Sequence, residues 1–140
     1  VVAQIDENDF TRSSATVTIE AASIDTRQPD RDGHLKSADF LDAANHPQLT
    51  FVTRRIEPAR GDWKVTGDLT IRGVTHEVAL DGEVTGPVKD PWGGSRIGLS
   101  LAGKLNRKDF GMVWNAALDA GGFVLADDVK LNIEVELLKQ

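Results

Sequence analysis

The sequence predicts an all-β protein whose strands run antiparallel around an apolar interior, and three stretches carry that prediction. From Trp63 to Ile71 the odd positions read Trp63, Val65, Gly67, Leu69, Ile71 and the even ones Lys64, Thr66, Asp68, Thr70. From Ile97 to Leu105 the odd positions are Ile97, Leu99, Leu101, Gly103, Leu105, and from Val129 to Leu137 they are Val129, Leu131, Ile133, Val135, Leu137. A strand sends successive side chains to opposite faces, so each stretch has one dry face and one wet face. Several such strands joined by turns close most simply into a barrel.

The remaining elements follow in order. Thr16 to Glu20 reads as a short strand with Val17 and Ile19 on one face. The run Ser37-Ala-Asp-Phe-Leu-Asp-Ala-Ala predicts a brief helix with Ser37 as N-cap, stopped before Pro47 and rimming or plugging one end of the sheet. Leu49 to Thr53 is a further strand with Leu49, Phe51 and Thr53 aligned. A two-residue turn at Gly73-Val74, with Gly73 at the positive φ of a type II′ turn, would set Ile71 opposite His76, Leu69 opposite Val78 and Gly67 opposite Leu80. That register puts His76, Val78, Leu80, Gly82 and Val84 on the face already given to Trp63, Leu69 and Ile71. The Asp90-Pro-Trp-Gly-Gly loop joins two long strands, and the turn from Asn106 to Asn115 closes one end of the barrel with Phe110 and Trp114.

Composition bounds the function. The chain has 140 residues, 40% of them hydrophobic, which suits one domain spanning 1–140. It has no cysteine, so disulfides, thiolate catalysis and cysteine-held zinc are excluded. No apolar run approaches the ~20 residues of a membrane-spanning helix, so a soluble protein is expected. Val1 to Phe10 lacks the basic start and apolar core of a secretory signal, and the chain does not begin with Met. Periplasm and cytoplasm therefore both remain open. A net charge of -6 argues against nucleic acid and anionic surfaces, and the pairs Arg54-Arg55 and Arg107-Lys108 do not reverse it.

Gly67, Gly82 and Gly103 all fall on the apolar face. Two readings are compatible: glycine lets strands bend where a barrel curls, and missing side chains leave room for a ligand.

Beyond the alternation, five motifs are recognisable: Ser23-Ile-Asp-Thr, Arg31-Asp-Gly-His-Leu-Lys-Ser-Ala-Asp-Phe, Val65-Thr-Gly-Asp-Leu-Thr-Ile-Arg-Gly-Val-Thr, Asp90-Pro-Trp-Gly-Gly and Leu105-Asn-Arg-Lys-Asp-Phe-Gly-Met-Val-Trp-Asn. In this order, over about Ile19 to Leu137, they resemble the YceI-like family of polyisoprenoid-binding proteins. The resemblance implies a lipocalin-like antiparallel β-barrel, bacterial origin, and an interior that holds an isoprenoid chain such as a polyprenyl diphosphate or a quinone tail. The family usually opens with a strand, a turn and a further strand before a segment like Val1 to Ile5. Without them the expectation is a partly open barrel or a homodimer formed through unpaired strand edges.

Apart from His76 and Thr53, the inward positions carry no strongly polar group, which favours binding over catalysis. Candidate lining residues are Phe51, Trp63, Leu69, Ile71, Val78, Leu80, Leu99, Leu101 and Leu131, each of which can equally be ordinary core. Trp92 is a candidate lid over the mouth or a simple loop anchor. Arg31 and His34, placed just before the helix with Lys36 nearby, are candidates for the head group, or else Arg31 and Asp32 form a structural knot. His34, His46 and His76 lack metal-ligand spacing, and no nucleophile or phosphate-loop motif is present. No cofactor is expected beyond the lipid. A non-catalytic carrier thus ranks first, a protein-interaction or structural module with a packed interior second, and a cofactor-dependent enzyme third.

Overall fold

The computed structural model describes residues 1–6, 8–89, 91–115 and 125–139. Asp90, the first residue of the loop containing Trp92, lies outside them. The strands are β1 (Val2–Gln4), β2 (Ser14–Glu20), β3 (Gln48–Ala59), β4 (Asp62–Ile71), β5 (Val74–Lys89), β6 (Ser95–Asn106) and β7 (Asp128–Leu138), with one helix, α1 (Pro29–Lys36). They form one seven-stranded sheet in the order β1 to β7, every neighbouring pair antiparallel. The sheet is curled around its apolar face, and no pairing joins β1 to β7 among the described residues. The fold is therefore the lipocalin-like barrel expected, left open along one seam.

The pairing of β6 with β7 confirms the alternation row by row: Ile97 faces Leu137, Leu99 faces Val135, Leu101 faces Ile133, Gly103 faces Leu131 and Leu105 faces Val129. The β4–β5 hairpin differs from its expected register. The turn residues are Arg72 and Gly73, at φ 58 and 75, so Ile71 faces Val74, Leu69 faces His76 and Gly67 faces Val78. Two consecutive positive φ values make a type I′ turn, whose twist matches that of the flanking strands. The slip is two residues, so every side chain keeps its assigned face even though its partner changes.

β3 runs six residues past the expected stop at Thr53 because a bulge interrupts its alternation. Thr53 pairs with Gly67 and Arg55 with Thr66, leaving Arg54 as the extra residue, and Ile56 rather than Arg55 turns inward. The helix is also misplaced in the sequence reading. Ser37 is the C-cap of α1, not the N-cap of a following helix, and its hydroxyl donates to the His34 carbonyl. Arg31 and His34 accordingly lie within the helix, while residues 38–46 form turns. Pro29 in the first turn, Asp30 and Asp32 near the N-terminus and His34 and Lys36 near the C-terminus suit a helix. Leu35 is its one large apolar residue, so α1 shows no apolar stripe for periodicity to detect.

The three inward glycines are filled by their neighbours. A Cβ on Gly67 would lie 2.5 Å from the Val52 carbonyl oxygen and 2.6 Å from Phe51 Cζ. One on Gly103 would lie 2.5 Å from Leu80 Cδ2, and one on Gly82 3.0 Å from Leu101 Cδ2. The notches thus receive large side chains from adjacent strands.

The two ends of the curled sheet differ. At the end holding Ile71 and Leu105, the turn after β6 packs Phe110 and Met112 against Phe40, all buried. Arg107, 4% exposed, holds that turn together: Nε donates to the Ala126 carbonyl (2.8 Å), and Nη1 to those of Met112 (2.6 Å) and Trp114 (2.8 Å). Asn115 pairs both ways with the backbone of Leu125. Arg72, at the β4–β5 turn, donates to the Gly111 carbonyl.

Two outcomes test this packing. Gly67→Ala is expected to destabilise the protein by about 1–3 kcal/mol in urea denaturation, because the Val52 carbonyl cannot move without disturbing the β3–β4 ladder. Arg107→Met is expected to cost on the order of 3 kcal/mol by leaving three carbonyls without their donor, and Arg107→Lys to recover little, since an ammonium cannot reproduce the guanidinium fork.

Candidate lipid-binding interior

The opposite end, where β4 begins and β5 finishes, is loosely filled. A cavity of about 50 Å³ lies there, and its wall includes Phe51, Ile56, Trp63, Val65, Leu99 and Leu101. Phe10, in a single 3-10 turn N-capped by Asp9, meets Trp63 edge to face at 4.7 Å and partly covers it. Two hydroxyls in this wall are engaged by backbone. Thr53 Oγ1 accepts from the Ala15 N–H at 2.9 Å, and Ser13 Oγ from that of Asp6 at 2.9 Å. Val1, Ile5 and Val135 belong both to the cavity wall and to a groove of about 790 Å³ between the edges of β1 and β7. The interior is thus continuous with the seam.

Coverage of the apolar face is uneven. On β4 and β5, Val65, Leu69, Ile71 and Leu80 are buried and Trp63, Val78 and Val84 half-buried, and on β6 Leu105 is buried. On β6 and β7, Ile97, Leu99, Leu101, Leu131, Ile133, Val135 and Leu137 are all only half-buried, though they point the same way. A contiguous apolar surface left partly open marks a place where something apolar can bind. Its chemistry is limited to shape and hydrophobic contact, at about 25 cal/mol for each Å² withdrawn from water.

The candidate residues divide into three groups. Phe51, Trp63, Leu99 and Leu101 line the cavity together. Leu69, Ile71 and Leu80 share their face but belong to the packed core around it, while Val78 and Leu131 are partly buried against that core. Trp92, Arg31 and His34 stand apart. Trp92 is 84% exposed in the β5–β6 connection. Arg31 and His34 sit on α1 at the plugged end, away from the cavity.

The α1 side chains have local partners. Arg31 donates through Nε and Nη2 to the hydroxyl and carbonyl of Thr26 (2.9 and 3.1 Å). Asp32 accepts from the Thr26 hydroxyl (2.5 Å) and N–H (2.9 Å), and the hydroxyl bond is the main cause holding its carboxyl below the usual 3.8. This is the knot that the sequence offered as the alternative to a head-group site. His34 Nε2 lies 2.9 Å from an Asp39 carboxylate oxygen, and its ring stands edge-on to Trp114 and Phe40, at 4.5 and 5.0 Å. His76 keeps its inward register opposite Leu69 but lies beyond the interior, exposed and edge-on to Phe110 at 5.2 Å.

Several cavity residues escaped the sequence reading as candidates. Val65, Val84 and Val135 carried the right parity, so alternation alone could have found them. Ile56 was hidden by the bulge, and Phe10 lies in a turn with no periodicity.

Comparison with known proteins agrees with this architecture. The family model for the YceI-like domain matches residues 1–137. A UPF0312 protein of Staphylococcus aureus (strain MSSA476) is 41% identical over 137 residues, covering 97% of this chain and 78% of that protein. Protein YceI of Escherichia coli O17:K52:H18 is 41% identical over 135 residues, covering 96% and 68%. Among solved structures, a YceI protein of Campylobacter jejuni superposes with a TM-score of 0.82 at 36% identity, covering 99% of this chain and 80% of that one. BcnA of Burkholderia cenocepacia superposes with a TM-score of 0.82 at 27% identity, covering 97% and 82%. On the sequence match and the shared curled sheet alike, the chain belongs to the YceI-like family.

Proposed function

We propose that this chain is a non-catalytic binding protein that takes up the tail of an amphiphilic isoprenoid lipid, a polyprenyl diphosphate or an isoprenoid quinone, along the apolar face of its sheet. The observation that carries the reading is the half-covered inner surface of β6 and β7, continuous with a cavity walled mainly by apolar side chains. An isoprenoid tail is branched, apolar and free of hydrogen-bonding groups, and such a surface is complementary to it. Membership of the YceI-like family supports the same reading. Binding requires side chains to part, since the cavity of about 50 Å³ is far below the roughly 300–1,000 Å³ of ordinary ligand pockets. The loosely packed half of the sheet is where that parting costs least. With α1 at the plugged end, the tail would lie toward the opposite end and its head group would stay outside.

The small cavity also favours a second reading, an interaction or structural module whose interior is simply packed. One experiment separates the two. Mass spectrometry of an organic extract of the purified protein is expected to find a polyprenyl lipid or quinone, and the same extract of Leu101→Arg, with a charge in the cavity wall, is expected to lack it. No lipid in either sample, with the variant still folded by circular dichroism, would overturn the carrier reading in favour of the packed module.

A further inference from the structure

Two contacts between a leucine and a glycine stand side by side on the inner face, in inverted order across β5 and β6. One inward row of the sheet reads Trp63, Gly82, Leu101, Ile133 from β4 to β7. There Leu101 lies over Gly82, where a Cβ would be 3.0 Å from Leu101 Cδ2. In the next inward row, toward the sealed end, Val65, Leu80, Gly103 and Leu131 align. The order is reversed in that row: Leu80 lies over Gly103, where a Cβ would be 2.5 Å from Leu80 Cδ2. The surroundings of the two leucines differ. Leu101 is half-buried and borders the cavity, so its side chain has free volume to turn into. Leu80 is 2% exposed and, with Phe110, among the most completely buried large side chains. Among the described residues, the cavity wall takes in Trp63, Gly82 and Leu101 of the first row but only Val65 of the second. On the β5–β6 side the open interior therefore ends at Leu80.

We propose that Leu80, seated in the notch of Gly103, is the stop that sets how many isoprene units of a bound tail this chain accommodates, while Leu101 over Gly82 is the part that yields to admit them. The inference rests on the carrier reading and adds to it the residue that determines tail length. A tail entering at the cavity end meets Leu101 first, and turning that side chain off Gly82 enlarges the cavity at the cost of few contacts. Leu80 has no such freedom. It belongs to the same packed core as Val65, Ile71 and Phe110, so displacing it would forfeit contacts on every side. The isobutyl group of leucine is close in size and branching to one isoprene unit. Truncating Leu80 to alanine therefore leaves an apolar space in line with the tail, which one further unit fills. That refilling separates the substitution from an ordinary core deletion, whose cavity stays empty and whose only effect is lost stability.

Binding of geranyl, farnesyl, geranylgeranyl and geranylfarnesyl diphosphate, measured by titration calorimetry on folded variants, tests this. In the original protein Kd is expected to tighten with tail length and then level off. In Leu80→Ala the levelling is expected one isoprene unit later, with about tenfold tighter binding of the first tail beyond the original plateau and little change for shorter ones. Should Leu80→Ala fail to fold, Leu80→Val carries the same test with a smaller gain in the same direction. Leu105→Ala, an equal truncation of a buried leucine at the sealed end, is expected to lower stability and leave the plateau where it was. A plateau unmoved in the Leu80 variants, or moved as far by Leu105→Ala, would overturn the inference, as would an affinity in the original protein that never levels off across the four tails. Failure of the carrier reading looks different: the original protein then binds none of the four, whereas length-dependent binding with an unmoved plateau removes only the role given to Leu80.

Discussion

A sheet with one apolar face must hide that face, and the shape of this molecule follows from how far seven strands can do so by curling on themselves. β4 and β5 lie in the middle of the sheet order with neighbours on both sides, and their inward residues are the best buried. β7 lies at an edge and, with β6, receives less cover from the far side of the curl. The glycines at 67, 82 and 103 permit close approach, and Phe51, Leu101 and Leu80 fill the spaces they leave. Glycine therefore tightens the central strands here, and the room for a ligand comes chiefly from incomplete coverage.

The two ends divide the labour. One is sealed by the turn after β6, where a buried guanidinium gathers three carbonyls and holds Phe110 and Met112 against the core. The same end carries α1, whose charged side chains are tied to Thr26 and Asp39. At the other end, among the described residues, Phe10 packs over Trp63 beside the small cavity. Rigid closure at one end and loose apolar contact at the other give a binding surface a fixed floor and a deformable mouth.

Much of this was legible in the residues because period-two alternation survives errors of register. The β4–β5 pairing was displaced by two residues, yet no side chain changed face. What escaped had no periodic signature. The bulge at Arg54 flips parity by one residue and concealed Ile56. α1 carries a single large apolar residue, so the helix was displaced onto the more apolar segment that follows. Arg107 reads in sequence as part of a surface basic pair, and its burial becomes visible only once the chain brings Met112, Trp114 and Ala126 around it. Candidate residues on strands were placed on the correct face, whereas Arg31, His34 and Trp92 lie on other elements and away from the cavity.

The central claim is that the apolar face recognises a tail, with the head group left outside. Isothermal titration calorimetry with geranyl, farnesyl and geranylgeranyl diphosphate, beside inorganic diphosphate, tests it directly. The account predicts that each added isoprene unit tightens Kd by about tenfold or more until the available surface is filled, with a negative heat-capacity change, and that inorganic diphosphate does not bind. An affinity independent of tail length, or inorganic diphosphate binding as well as the lipids do, would contradict it.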